Sequence, residues 1–205
     1  MTRFAVTGTD TDVGKTVFAA GLAGYLGAAY WKPVQAGLAD ETDSQTVARL
    51  TTGRCTILSE AWTLATPCSP DEAARIEGVV IDPDQLSLPA LSGPLVVEGA
   101  GGALVPLNDS LVFVDIFARW NLPVIIVART SLGTINHSLL TIEALRARGA
   151  PIHGIVFSGD ANPASERSII THGNVAHLGR LPRIDPLDAE NLRSAFITHV
   201  AVDLL

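Results

Sequence analysis

Apolar residues run in short uninterrupted blocks along this chain, and longer stretches with apolar positions at helical spacing lie between them. The blocks predict strands at residues 3–7, 28–33, 95–98, 124–128, 152–158 and 176–178. Several are apolar at successive positions rather than at every second one, the pattern of strands covered on both faces. The intervening stretches predict helices at about 15–26, 43–51, 135–148, 163–172 and 188–200. This alternation implies an α/β fold: a doubly wound, mostly parallel sheet with helices on both faces. Residues 56–94, with prolines at 67, 70, 83, 89 and 94, break the rhythm. They read as a surface excursion carrying short helices, and residues 1–205 as a single nucleotide-binding domain without internal repeats.

Composition narrows the function. With 47% hydrophobic and only 17% charged residues there is ample material for a core, which excludes a disordered chain. A net charge of −7 leaves no basic footprint for nucleic acid. Cys55 and Cys68 lack the spacing of a disulfide framework or a zinc site. The histidines at 137, 153, 172, 177 and 199 show no metal spacing and read as structural or surface residues. The most apolar block, residues 122–128, is far shorter than the roughly 20 residues of a membrane-spanning helix. No leader-like pattern precedes the first strand. A cytoplasmic protein without nucleic-acid or membrane partners is expected.

The strongest chemical signal is GTDTDVGKT, Gly8 to Thr16, between the first strand and the first helix. That context is the one a phosphate-binding loop requires. Backbone N–H groups of the turn and the helix start can point at phosphate oxygens, aided by the helix dipole. Gly8 and Gly14 let the backbone approach without a Cβ in the way. Lys15 supplies a cation to the β- and γ-phosphates, and the Thr16 hydroxyl suits Mg²⁺. Thr9, Asp12, Val13 and the following Val17 complete the nucleotide-binding stretch. Five residues separate Gly8 from Gly14-Lys15, where the general pattern has four.

Mg²⁺ on a nucleotide takes one or two protein carboxylates. Glu98 ends a strand at the sheet edge where open α/β folds bind ligands, and reads either as a ligand or as a solvated strand end. Asp43, near a helix start, reads either as a ligand or as the helix cap, with Thr42 and Ser44 as alternative caps. Lys32 closes the strand AAYWKPV, where its ammonium either meets an anion or snorkels to solvent.

Together GTDTDVGKT, KPVQAG from Lys32, Asp43, VEGAGG from Val97 and LGTINH from Leu132 resemble the dethiobiotin synthetase family, in family order over roughly residues 3 to 182. The five-residue loop spacing is that family's own form. The resemblance implies an ATP- and Mg²⁺-dependent enzyme that joins CO₂ to 7,8-diaminopelargonic acid, giving dethiobiotin, ADP and phosphate. A carbamate forms on one amine, its oxygen attacks the γ-phosphate, and the second amine closes the ring and expels phosphate. It implies catalytic roles for Lys15, Lys32 and Thr11, and Mg²⁺ ligation by Thr16, Asp43 and Glu98. The segment from Ser131 to Ser138, with Asn136, resembles a receptor for the substrate carboxylate, supplied in the family by the partner subunit of a homodimer. Two positions depart from the family. Ala36 replaces a Ser or Thr found before the glycine of the KPV segment, and Ser158 stands where some members carry an adenine-reading Asn. Asn162 or the backbone after residue 158 could compensate.

The rival reading is a P-loop switch ATPase of the partition and division-site type. Those carry an extra lysine early in the phosphate loop, and none lies between Gly8 and Gly14. A cobalamin-pathway amidotransferase domain would need an attached glutaminase, for which the chain has no room.

Overall fold

Alternate side chains of the central strands enter two separate apolar layers. In the computed structural model, which describes residues 2–205, β1 (Arg3–Gly8) turns Ala5 to one face and Phe4 and Val6 to the other. After β1 come α1 (Lys15–Leu26), β2 (Ala29–Trp31), β3 (Val34–Ala36), α2 (Asp43–Thr51), β4 (Thr56–Leu58), β5 (Trp62–Leu64) and α3 (Pro70–Glu77). The chain continues through β6 (Leu95–Gly102), β7 (Pro106–Asn108), β8 (Leu111–Val112), α4 (Phe113–Trp120), β9 (Val124–Arg129) and α5 (Thr134–Ala147). It ends with β10 (Ile152–Ser158), α6 (Pro163–Gly173), β11 (His177–Leu181) and α7 (Ala189–His199).

Seven strands form one sheet in the order β11-β10-β9-β1-β6-β2-β4, every adjacent pair parallel. Helices α1, α2 and α7 contribute buried side chains to one apolar layer, and α3, α4, α5 and α6 to the other. Strand β9 shows the division: Ile125 and Val127 join the first layer, Val124 and Ile126 the second. Coverage on both faces is why these strands read as unbroken apolar runs.

The expected excursion at 56–94 proves to be part of the frame. β4 is an edge strand of the main sheet, β5 pairs parallel with β3, and Leu64, Ala73, Ile81 and Leu86 are buried in the second layer. Strands of three residues are too short to carry a period, and the prolines disguise the apolar anchors. Helix α4 was not foreseen either. Phe113, Phe117 and Trp120 are buried there, with Trp120 against Trp31 at a ring separation of 5.8 Å. Each such aromatic contributes about 1.5–3 kcal/mol through burial.

Among the described residues, no helix is long and apolar enough to cross a membrane.

Candidate active site

Strand register places the site. Val6 of β1 lies opposite Glu98 of β6, and Trp31 of β2 lies opposite Val97. The phosphate loop follows β1 and Lys32 follows β2, while Glu98 lies inside β6 between them and does not end its strand as the sequence suggested, so the three meet at one level of the sheet.

The loop is held open by its own backbone. Gly14, with φ of 91°, caps α1 and uses a conformation other residues adopt only with strain. A Cβ at Gly8 would come within 2.9 Å of the Lys15 side chain. Asp12 has φ of 55°. Lys15 folds back over the loop and donates to the Asp10 carbonyl at 2.9 Å. The Asp10 carboxylate accepts from the Thr11 N–H at 2.8 Å and pairs with Arg129 at 3.1 Å. Buried Val13 anchors the loop in the first apolar layer, and the Thr9 N–H donates to the Val127 carbonyl.

Thr16 is the meeting point. Its hydroxyl lies 2.9 Å from Asp43 Oδ1 and 2.9 Å from Glu98 Oε1. Lys32 Nζ touches Asp43 Oδ2, lies 3.3 Å from Glu98 Oε1, and donates to the Gly99 carbonyl at 3.0 Å. The snorkelling alternative for Lys32 is thereby excluded, since the side chain is buried and ion-paired. Asp43 is not the helix cap. Thr42 caps α2 in a reciprocal box with Gln45, which frees the Asp43 carboxylate to turn toward Lys32 and Thr16. Glu98 is fully buried, so it is no solvated strand end.

Burial sets the direction for Lys15 and Glu98, and charged neighbours set it for Lys32 and Asp43. Burial lowers the Lys15 ammonium, with Glu98 partly opposing. Burial works to lower Lys32 as well, but Glu98 and Asp43 outweigh it and hold the ammonium above its ordinary value. Burial would raise Asp43, yet Lys32 holds it below the usual carboxylate range. Glu98 is raised by burial, against the pull of Lys32.

These groups line one cleft of about 720 Å³, together with Thr11, Asp12, Gly14, Val17 and the turn from Pro67 to Pro70 at the start of α3. A hydroxyl and two carboxylates fit a hard dication that completes its shell with phosphate and water oxygens. Among the described residues no three or more His, Cys, Asp or Glu side chains gather into a metal cage. The sequence did not single out Gln35, whose side chain accepts from the Asp43 N–H at 3.3 Å and donates to the Ala36 and Gly37 carbonyls. Nor did it single out the turn from Pro67 to Pro70. A glutamine in KPVQAG carried no signal beyond its place in the motif.

A family model described as an AAA domain matches residues 2–191. The ATP-dependent dethiobiotin synthetase of Rhodopseudomonas palustris (strain BisB18) is 59% identical, over 96% of this chain and 94% of that protein. That of Rhizorhabdus wittichii is 63% identical, over 96% and 95%. The chain belongs to the dethiobiotin synthetase family. Among solved structures, the septum site-determining protein MinD of Pyrococcus horikoshii is alike at a TM-score of 0.59 and 16% identity, covering 99% of this chain and 88% of that one. At that identity the likeness shows the shared P-loop ATPase fold alone.

Two positions marked by comparison with other dethiobiotin synthetases lie outside the cleft lining. Asn136 is exposed in the first turn of α5, beside the fully exposed Leu132. Ser158 ends β10 against the phosphate loop, where a Cβ on Gly14 would lie 2.5 Å from its hydroxyl. Asn162 is engaged at both ends of its side chain. Its carbonyl caps α6 by accepting from the Ser165 N–H, and its amide donates to the Thr130 carbonyl at 3.1 Å.

Proposed function

We propose that this chain catalyses the ATP- and Mg²⁺-dependent carboxylation and ring closure of 7,8-diaminopelargonic acid with CO₂, giving dethiobiotin, ADP and phosphate in the cytoplasm, as a homodimer. The whole chain serves as one catalytic unit. Family membership supports the reaction, and one observation carries its assignment to this cleft. Two buried lysines, Lys15 and Lys32, face the same space beside Thr16, Asp43 and Glu98. The rival switch ATPases carry their extra lysine within the phosphate loop, whereas here the second cation, Lys32, comes from the end of β2. A reaction that drives a carbamate onto the γ-phosphate brings two anions together, and a second fixed cation lowers that barrier.

In this reading the Gly8–Thr16 loop holds the triphosphate through backbone N–H groups, and Lys15 leaves the Asp10 carbonyl for the β- and γ-phosphates. Thr16, Asp43 and Glu98 would hold Mg²⁺, which neutralises and orients the phosphates when bound. Lys32, freed from part of its pairing, meets the carbamate. Thr11 lies at the mouth of the cleft to position the carbamate and γ-phosphate. The attacking oxygen starts on CO₂ and leaves on phosphate, as the second amine displaces it from the carbonyl carbon. Charge stabilisation and alignment are the protein's share of the work.

Asn136 and the exposed start of α5 support the dimer. They lie outside their own chain's cleft and present Leu132 to solvent, as a receptor built for a neighbour's substrate would.

The test is a coupled assay with purified protein, ATP, Mg²⁺, bicarbonate and the diamine. Dethiobiotin and ADP should form in equal amounts. ATP turnover indifferent to the diamine would instead indicate a switch ATPase.

A further inference from the structure

Tyr30 is fully buried on β2, in the middle of the first apolar layer. A tyrosine there must satisfy its hydroxyl, because an unpartnered phenol in an apolar layer is costly. Its partner is Glu98 Oε2 at 2.9 Å. An ionised carboxylate only accepts, so the phenol donates. Tyr30 lies opposite Val96 on the neighbouring strand, two residues before Glu98, and so shares a sheet face with both. The two Glu98 oxygens are thereby divided. Oε2 is held by Tyr30, and Oε1 is turned to Thr16 at 2.9 Å and to Lys32 at 3.3 Å.

We propose that Tyr30 is the positioning residue of the metal site: its hydroxyl locks Oε2 of Glu98 so that Oε1 faces the space bounded by Thr16 and Asp43. The inference rests on the assignment of Glu98 as a Mg²⁺ ligand. Among the described residues, Tyr30 is the hydrogen-bond partner of Oε2, and Thr16 and Lys32 both engage Oε1. Glu98 has no exposed surface, so water is not at hand to take over the bond. A carboxylate freed at one oxygen can rotate and present its charge at the wrong place, and groups that orient a metal ligand typically contribute 10–100-fold in metal affinity. Tyr30 itself touches neither nucleotide nor metal in this arrangement, so it acts through Glu98.

The test is calorimetric, and needs no turnover. ADP binding is measured with and without Mg²⁺ for the wild-type protein and for Tyr30→Phe, after thermal melts establish that the variant is folded. Wild type should bind ADP more tightly with Mg²⁺. Tyr30→Phe should bind metal-free ADP within about twofold of wild type, and should lose roughly tenfold of the tightening that Mg²⁺ confers. An equal Mg²⁺ gain in both proteins overturns the role of Tyr30 while leaving the metal site standing. Equal weakening with and without the metal would mark a merely structural tyrosine. No Mg²⁺ gain in wild type overturns the metal assignment and the inference together.

Should Tyr30→Phe fail to fold, the wild-type chain still decides the matter. It has two tyrosines, so protein containing 3-fluorotyrosine gives two fluorine resonances, assigned with Tyr25→Phe. The Tyr30 resonance should move when Mg²⁺ is added to the ADP complex. A Tyr30 resonance that stays in place contradicts the inference.

Discussion

Replacing Lys32 separates its two duties. The residue is 3% exposed and its ammonium bridges Asp43 and Glu98, so Lys32→Ala leaves two carboxylates without their cation. Asp43 is a third exposed and can rehydrate, whereas Glu98 cannot. Breaking a buried ion pair costs about 3–5 kcal/mol. Glu98 keeps its bonds from Thr16 and Tyr30, so the loss sits at the lower end, about 3 kcal/mol. At about 2–4 °C per kcal/mol for a chain of this size, the metal-free Tm should fall by about 6–12 °C. Lys32→Met, which keeps the stem, should fall nearly as far, because the charge and not the packing is missing. Catalysis is the second duty. Turnover at saturating diamine should drop by about 10²-fold or more, roughly 2.7 kcal/mol of transition-state stabilisation, with ADP affinity largely unchanged. Melts, titrations and initial rates below the variant's transition temperature read these separately. Near-normal kcat in a folded Lys32→Ala protein would refute the reasoning.

Other substitutions address the remaining parts of the site. Asp43→Asn and Glu98→Gln should each raise the Mg²⁺ concentration for half-maximal activity by more than the roughly tenfold expected for a group that only orients a ligand; an unchanged titration removes that residue from the set. Lys15→Ala should weaken nucleotide binding measured by calorimetry and abolish turnover. Equimolar mixing of inactive Lys15→Ala and Asn136→Ala chains should restore about a quarter of wild-type activity, since half the dimers are mixed and each has one intact site of two. No recovery, with subunit exchange verified, would place the whole site within one chain. With Ser158 against the phosphate loop and both ends of the Asn162 side chain engaged, CTP or GTP should serve within about tenfold of ATP in kcat/KM, about 1.4 kcal/mol. A thousandfold preference for ATP would show that the backbone of another loop reads the base.

What could be read from the sequence was what local physics dictates. A strand covered on both faces must be apolar throughout, so β1, β9 and β10 announced themselves. The phosphate loop did too, because the backbone at position 14 takes a positive φ that suits glycine and strains other residues. The surroundings of the loop depended on pairing register, which no local pattern encodes. Tyr30 in AAYWKPV looks like one more core residue until Glu98 arrives beside it from residues far along the chain. Asp43 could be read as a helix cap until Thr42 was seen to take that place. Helix α4 was hidden because its apolar residues continue those of β8 without a polar break.

The central claim is that a carbamate oxygen, and not water, attacks the γ-phosphate between Lys15 and Lys32. Single-turnover reaction of the enzyme–ATP–diamine complex with C¹⁸O₂, quenched before the label exchanges with water, tests it directly by mass spectrometry of the phosphate released. The account predicts one ¹⁸O atom in each phosphate and the matching label in the ureido carbonyl of the product. Unlabelled phosphate formed alongside labelled product would contradict it.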